Sequence, residues 1–373
     1  MAATPVGARH TKLVGVISPH PDVRADAYPV PIFLDVDTGI DDSLALAYLF
    51  SSPEAQIIGI ACTAGNVPTD RVVANNLAWL DLWDAIGIDV ARGADGPLVT
   101  GLNTAEDTHG DFGVGYARLP RSLRQISRFT AAQAWVHAAR RQPGRLVGLV
   151  TGPLTNLALA IRLEPRLPKL LNRLIIMGGA FDHPGNTTPT AEWNISVDPE
   201  AAKEVFDAYG AADGATLPVI CPLDITETMV MTPQHLQRIA LRAGSKPIEF
   251  LSPTDPIDRR SEASIPVLRH LTDALRFYFE FHDKQGIGYV AQVHDAFAAA
   301  ITLHPGMATY RPATVDVELT GTLTRGSTVA DRRGFWGRPP NAYIATTSEP
   351  DAFFNHLIER IGESLRRRSE YAR

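Results

Sequence analysis

Residues 33–46 read FLDVDTGIDDSLAL, an apolar run that passes into four carboxylates, Asp35, Asp37, Asp41 and Asp42, with Gly39 in the turn. Period-two geometry sets Asp35 and Asp37 on one face of a strand end, and the helical pattern that follows starts at Asp41 and Asp42. All four can converge on one small volume. One or two carboxylates at a helix N-terminus are explained by its unpaired N–H groups and its dipole. Four are not, because like charges packed at the end of a sheet repel unless a shared proton or a cation neutralises them. A hard cation bound through oxygens, Ca²⁺ or Mg²⁺, is the simplest remedy.

Three other arrangements open in a similar way. An EF-hand loop beginning at Asp35 needs Gly at its sixth position and Glu at its twelfth, where this chain has Ile40 and Leu46. A phosphatase of the haloacid dehalogenase type also has two Asp one residue apart after a strand, but expects Thr or Val where Gly39 stands. A merely capped helix in a protein without catalysis accounts for one or two of the four carboxylates.

The elements that must position this cluster follow a βα rhythm from residue 31 onward, the pattern of a parallel sheet covered on both faces. Strands are expected over residues 32–36, 56–62, 145–150, 174–177 and 218–221. Helices are expected to begin at Asp41, Thr69, Thr130, Leu154, Pro199 and Thr232, and another to end near His282. Residues 294–303 read as a buried helix, residues 315–319 and 342–346 as late strands, and residues 350–361 as a closing helix with Pro at its start. The expected architecture is one α/β domain with a Rossmann-like, mainly parallel central sheet flanked by helices, spanning residues 31–373. Two long irregular segments, residues 100–127 and 245–264, are candidates for covering a site.

Composition narrows the partners. A net charge of −6 offers no basic footprint for a nucleic-acid polymer. The basic run Arg366, Arg367, Arg368 reads as the solvated end of a last helix. Cys62 and Cys221 lie in apolar segments and read as small core residues, which suits a reducing compartment. In residues 1–30 the longest apolar run is about six residues, too short for a signal sequence or a membrane span. A cytoplasmic protein with a loose extension over residues 1–30 and no membrane partner is expected.

The segment from Asp35 to Asp42 resembles the signature of the nucleoside hydrolase family, a strand followed by Asp-x-Asp-x-Gly-x-Asp-Asp. The resemblance recurs at Gly65 and Asn66, at residues 151–156 (TGPLTN), at residues 177–179, at Gly185 and Asn186, at residues 191–194 (AEWN) and at residues 293–295 (VHD). Several ordered motifs together are specific where any one alone would be weak.

Carried over, the resemblance implies hydrolysis of ribonucleosides to ribose and free base, with Ca²⁺ held by Asp37, Asp42, the Thr151 carbonyl and Asp295. Asp37 would be the base for a calcium-bound water. Asp41, Asn66, Glu192 and Asn194 would hold ribose hydroxyls, with Asp295 also toward the substrate, Asn186 toward the 5′ end and Met177 lining the sugar pocket. His294 would donate a proton to the leaving base or position it, the side chain best suited to trade protons near neutral pH. His109 resembles a family histidine near the base, and Trp193 either lines the pocket or packs in the core. Asp35 and Asp224 would be supporting carboxylates. His294 points to the inosine-uridine and pyrimidine-preferring branch, and a homodimer or homotetramer is expected by resemblance. The chemistry agrees: an oxocarbenium-like sugar calls for an activated water, anionic surroundings and help for the departing base. The rival is a catalytically silent nucleoside- or ribose-binding protein using the same pocket.

Overall fold

Ile32, Leu34 and Val36 point into one apolar core and Phe33, one residue out of phase, into the other, so strand β1 (Val30–Val36) is buried on both faces. Such a strand belongs inside a parallel sheet. The computed structural model, which describes residues 29–371, places it there.

Helices α1 (Ile40–Phe50) and α2 (Thr69–Leu82) flank β2 (Ala55–Cys62), and β3 (Asp89–Arg92) follows. Next come α3 (Glu106–His109), α4 (Ala131–Arg141), β4 (Val147–Val150), α5 (Thr155–Leu163), α6 (Leu167–Leu170) and β5 (Arg173–Met177). The chain continues through α7 (Trp193–Val197), α8 (Pro199–Ala211), β6 (Val219–Cys221), α9 (Leu223–Thr226), β7 (Val230–Met231), α10 (Pro233–Ala243) and α11 (Pro266–Lys284). It closes with β8 (Ala291–Gln292), α12 (His294–Leu303), β9 (Ala308–Val317), β10 (Thr328–Asp331), β11 (Ala342–Ser348) and α13 (Pro350–Tyr371).

The large sheet runs β10-β9-β11-β6-β5-β4-β1-β2-β3. Strands β11, β6, β5, β4, β1, β2 and β3 run parallel to one another, while β9 and β10 extend the edge in antiparallel fashion. The order β3-β2-β1-β4-β5-β6 reverses direction between β1 and β4, the crevice where open α/β sheets take their ligands. Among the described residues no helix is long and apolar enough to cross a membrane, and Cys62 and Cys221 are buried and unpaired.

The expected helices and strands recur with shifted ends, and helix α12 is buried along its whole length. Strand β3 was not anticipated, since its core-facing content is only Val90 and Ala91. Strand β9 starts at Ala308, not at residue 315, because Arg311 and Pro312 interrupt the alternation. Pro is tolerated there because β10 pairs only with residues 314–317 of β9, leaving the earlier stretch at the sheet margin. The closing helix runs on past residue 361 to Tyr371, where Arg366 pairs with Glu370 and Arg368 with Asp84. The extension expected over residues 1–30 lies outside the described residues except for its last two, and Val30 already belongs to β1.

Asp35 does not join the other carboxylates of its segment. On the Phe33 side of β1 its Oδ2 accepts from Trp135 Nε1 of α4 at 2.7 Å, and its Oδ1 from Asn156 Nδ2 of α5 at 2.9 Å. The buried carboxylate therefore ties the central strand to two helices, and the two-aspartate arrangement of the phosphatase alternative is absent. Trp135→Phe leaves a buried carboxylate oxygen without its donor and is expected to cost about 2 kcal/mol of unfolding free energy. Urea denaturation measures this, and a loss below about 0.5 kcal/mol would mean that the bond contributes little to the fold.

Candidate active site

The turn between β1 and α1 is held by donors from within it and from two other segments. Gly39 N donates to Asp42 Oδ2 at 2.7 Å, Thr151 Oγ1 donates to Asp42 Oδ1 at 2.7 Å, and Asn66 N donates to Asp37 Oδ2 at 2.8 Å. A Cβ at Gly39 would stand 2.6 Å from Asn66 Nδ2 and 2.7 Å from His109 Nδ1, so the close approach of three segments requires glycine. Thr151 follows β4 and Asp295 opens α12, which packs along α1. Strand ends and helix starts from distant parts of the chain thus meet at the crevice between β1 and β4.

Asp41, Asp42 and Asp295 each offer an oxygen within 4.8 Å of the others. Asp37 lies outside that closest set, yet its Oδ1 is buried and has no hydrogen-bond partner among the described residues. Burial pushes the Asp41 carboxyl up to about 7 and that of Asp42 to about 6, with the Asp42 charge adding to the rise at Asp41. Asp37 and Asp295 are held well above the usual carboxylate range, first by burial and then by the neighbouring aspartates. Carboxylates in this apposition need a shared proton or a cation. The donors are all oxygen, and an orphaned carboxylate oxygen lies beside them, so the residues fit a hard divalent metal ion.

Above the carboxylates opens a cavity of about 620 Å³. Asp41, Asn66, His109, Thr151, Met177, Asn186, Glu192, Trp193, Asn194, His294 and Asp295 all line it, while Asp37 and Asp42 lie behind its surface. Trp193, for which core packing was the alternative, is half-buried and lines the cavity. Asn194 Nδ2 donates to the carbonyls of Thr151 and Met177, at 2.9 and 3.2 Å. Both Glu192 oxygens are engaged by backbone N–H groups, those of Asn194, Ile195 and Gly179, so this side chain caps α7 as well as facing the cavity. Asp224 accepts from the N–H groups of Phe181 and Asp182 and so anchors the loop that carries Asn186.

His294 Nδ1 lies 2.8 Å from Thr226 Oγ1, and His109 Nδ1 accepts from Ile40 N at 3.2 Å. Burial, reinforced by neighbouring histidines, pushes each imidazole down to about 3, so both are neutral at pH 7. Of the two long segments expected to cover a site, the first contributes Thr104, Ala105, Asp107, Thr108 and His109. The second, residues 245–264, does not reach the cavity. It is drawn onto α11 by an ion pair from Asp255 to Arg276 at 2.8 Å and by Ser261 N donating to Asp273.

Glu227, Tyr278, Phe281, His282 and Gln292 were not singled out from the sequence, although all line the cavity. The four-residue spacing of Tyr278 and His282 sets both on one face of α11, a signal present in the sequence but shared by any amphipathic helix.

The chain is similar to known proteins along most of its length. The family profile described as "Inosine-uridine preferring nucleoside hydrolase" matches residues 32–355. The inosine-uridine preferring nucleoside hydrolase of Leishmania major is 32% identical over 342 residues, 90% of this chain and 99% of that protein. The non-specific ribonucleoside hydrolase RihC of Escherichia coli is 32% identical over 336 residues, with 90% and 99% covered. Among solved structures, the purine-preferring ribonucleoside hydrolase from Gardnerella vaginalis superposes with a TM-score of 0.79 at 26% identity, covering 90% of this chain and 99% of that one. The carboxylate floor at the β1 and β4 ends, the cavity above it and these likenesses along nearly the whole chain lead to one conclusion: the chain belongs to the inosine-uridine preferring nucleoside hydrolase family, hydrolases of N-glycosyl compounds.

Proposed function

We propose that this chain cleaves the N-glycosidic bond of ribonucleosides, releasing ribose and the free nucleobase, with Ca²⁺ as its metal. The observation that carries the reading is the buried, unpartnered Oδ1 of Asp37 beside Asp41, Asp42 and Asp295, at the base of a cavity sized for a nucleoside. A protein that only binds ribose has no use for such an oxygen. Asp37, Asp42, Asp295 and the Thr151 carbonyl would hold the ion, whose coordination to oxygen is flexible in number and geometry. When bound, it would balance the carboxylates and lower the pKa of a water in its shell.

Asp37 would take the proton of the attacking water. Asp41, Asn66 and Asn194 hold ribose hydroxyls, Asn194 by the oxygen that its two carbonyl contacts leave available. Glu192 keeps α7 and Asn194 in place, Asn186 lies toward the 5′ end, and Met177 lines the sugar pocket. As the sugar flattens toward an oxocarbenium ion, the surrounding carboxylates favour the developing positive charge. His294, oriented by Thr226, meets the departing base as a neutral hydrogen-bonding group, with His109 beside it.

Asp37→Asn is expected to lower kcat by about 10³-fold, within the range spanned by general bases. Calcium titration followed by thermal unfolding separates this from loss of the ion, because saturating Ca²⁺ at about 100 times Kd stabilises the folded chain by about 2.7 kcal/mol. A variant that keeps the calcium-dependent shift and turns over within tenfold of the parent removes Asp37 from the role of base. Ribonucleosides are expected to be cleaved about 10⁴-fold faster than their 2′-deoxy forms, since polar groups arranged for a hydroxyl are left unpaired without it. Comparable kcat/KM for uridine and 2′-deoxyuridine would withdraw the ribose contacts assigned to Asp41 and Asn194.

A further inference from the structure

The carboxylate floor and the amides around it suit the sugar, which leaves the wall of Tyr278, Phe281, His282 and Ile287 for the flat base. Into the same wall project two polar side chains that the reaction does not use, Glu227 and Gln292. Glu227 follows α9, one residue beyond Thr226, whose hydroxyl meets His294. Gln292 ends β8, two residues before His294. Their backbones are fixed against each other: Val230 pairs with Gln292 between β7 and β8, and Val293 N donates to Met229 O at 3.0 Å. Both therefore stand at the place where the leaving base meets His294.

Glu227 is underused by the protein. Its side chain is 24% exposed, and its Oε2 takes both of its contacts, Gln292 Nε2 at 3.4 Å and His183 Nε2 at 3.6 Å. Both are long, and among the described residues Oε1 has no donor. A carboxylate only accepts, so the nitrogen of the Gln292 amide faces it and the order of groups along the wall is fixed. That order is donor, acceptor, acceptor: Gln292 Nε2, Glu227 Oε2, Glu227 Oε1.

We propose that Glu227 and Gln292 read the pairing edge of guanine, which makes a 2-amino-6-oxopurine ribonucleoside the preferred substrate; this rests on the ribonucleoside reading above. Guanine presents O6, N1–H and the 2-amino group in sequence, acceptor, donor, donor, the complement of the wall. Hypoxanthine lacks the 2-amino donor, and uracil has a carbonyl on each side of its single N–H. Cytosine and adenine turn a ring nitrogen lone pair toward the carboxylate. Partial burial sharpens the choice, since a carboxylate oxygen screened from water loses more when the ligand leaves it unpaired.

The test is the ratio of kcat/KM for guanosine to that for inosine, measured on the calcium-loaded enzyme and on its Glu227→Gln variant. A ratio within one preparation is independent of how much of the variant folds. The expected ratio is about tenfold or more for the parent, the worth of one hydrogen bond to a charged group, falling to within about threefold of unity in Glu227→Gln. A parent ratio near one, or a ratio unchanged by Glu227→Gln, overturns the proposal while ribonucleoside cleavage stands. Absence of turnover with guanosine, inosine and uridine alike overturns the hydrolase reading itself and this proposal with it.

Discussion

Repulsion between buried carboxylates is the constraint around which this molecule is arranged. Asp37, Asp41, Asp42 and Asp295 act on one another's charges beyond the carboxyl end of β1, and each is withdrawn from water. A fold can keep such a group only if backbone and hydroxyl donors hold it and if something positive joins it. The first condition is met by the donors from Gly39, Asn66 and Thr151, and the all-oxygen set around them is one that a divalent ion fits. The parallel sheet is what makes the cluster possible, because consecutive βα units deliver loop and helix-start residues to one edge.

The same sheet separates two kinds of carboxylate that are neighbours in sequence. Asp37, past the end of β1, lies against Asn66 and the charges of Asp41 and Asp42. Asp35, still within the strand, is satisfied by an indole and an amide from the helices on the Phe33 side. Asp224 is likewise spent on backbone N–H groups. Proximity along the chain is therefore a poor guide to shared chemistry; what decides is which donors each oxygen already has.

Much of this was legible beforehand for identifiable reasons. The apolar periods of β1, β2, β4 and β5 and the Pro, Thr and Asp starts of their helices are local signals, and they survive in the fold. The carboxylate motif, the TGPLTN turn and the VHD segment carry the site because chemistry restricts their residue types. Strand β3 was missed because two apolar residues make no period, and the early half of β9 because Arg311 and Pro312 break one. This part of the cavity lining was missed for a different reason: Glu227, Tyr278, His282 and Gln292 lie on elements that meet only in three dimensions, and none belongs to a motif. The segment over residues 245–264 was misjudged because length signals a surface excursion but not which surface, and its ion pair to Arg276 directs it elsewhere.

Gly39 has an unexceptional backbone, with φ −91° and ψ −159°, that any amino acid can adopt. Glycine stands there for room and not for conformational freedom. The Asn66 amide and the His109 ring occupy the volume where a methyl group would go. Two side chains of the cavity lining and the aspartate turn therefore share one steric keystone: enlarging it by a single carbon displaces an amide and an imidazole together, and no compensating change at either neighbour alone can restore the fit.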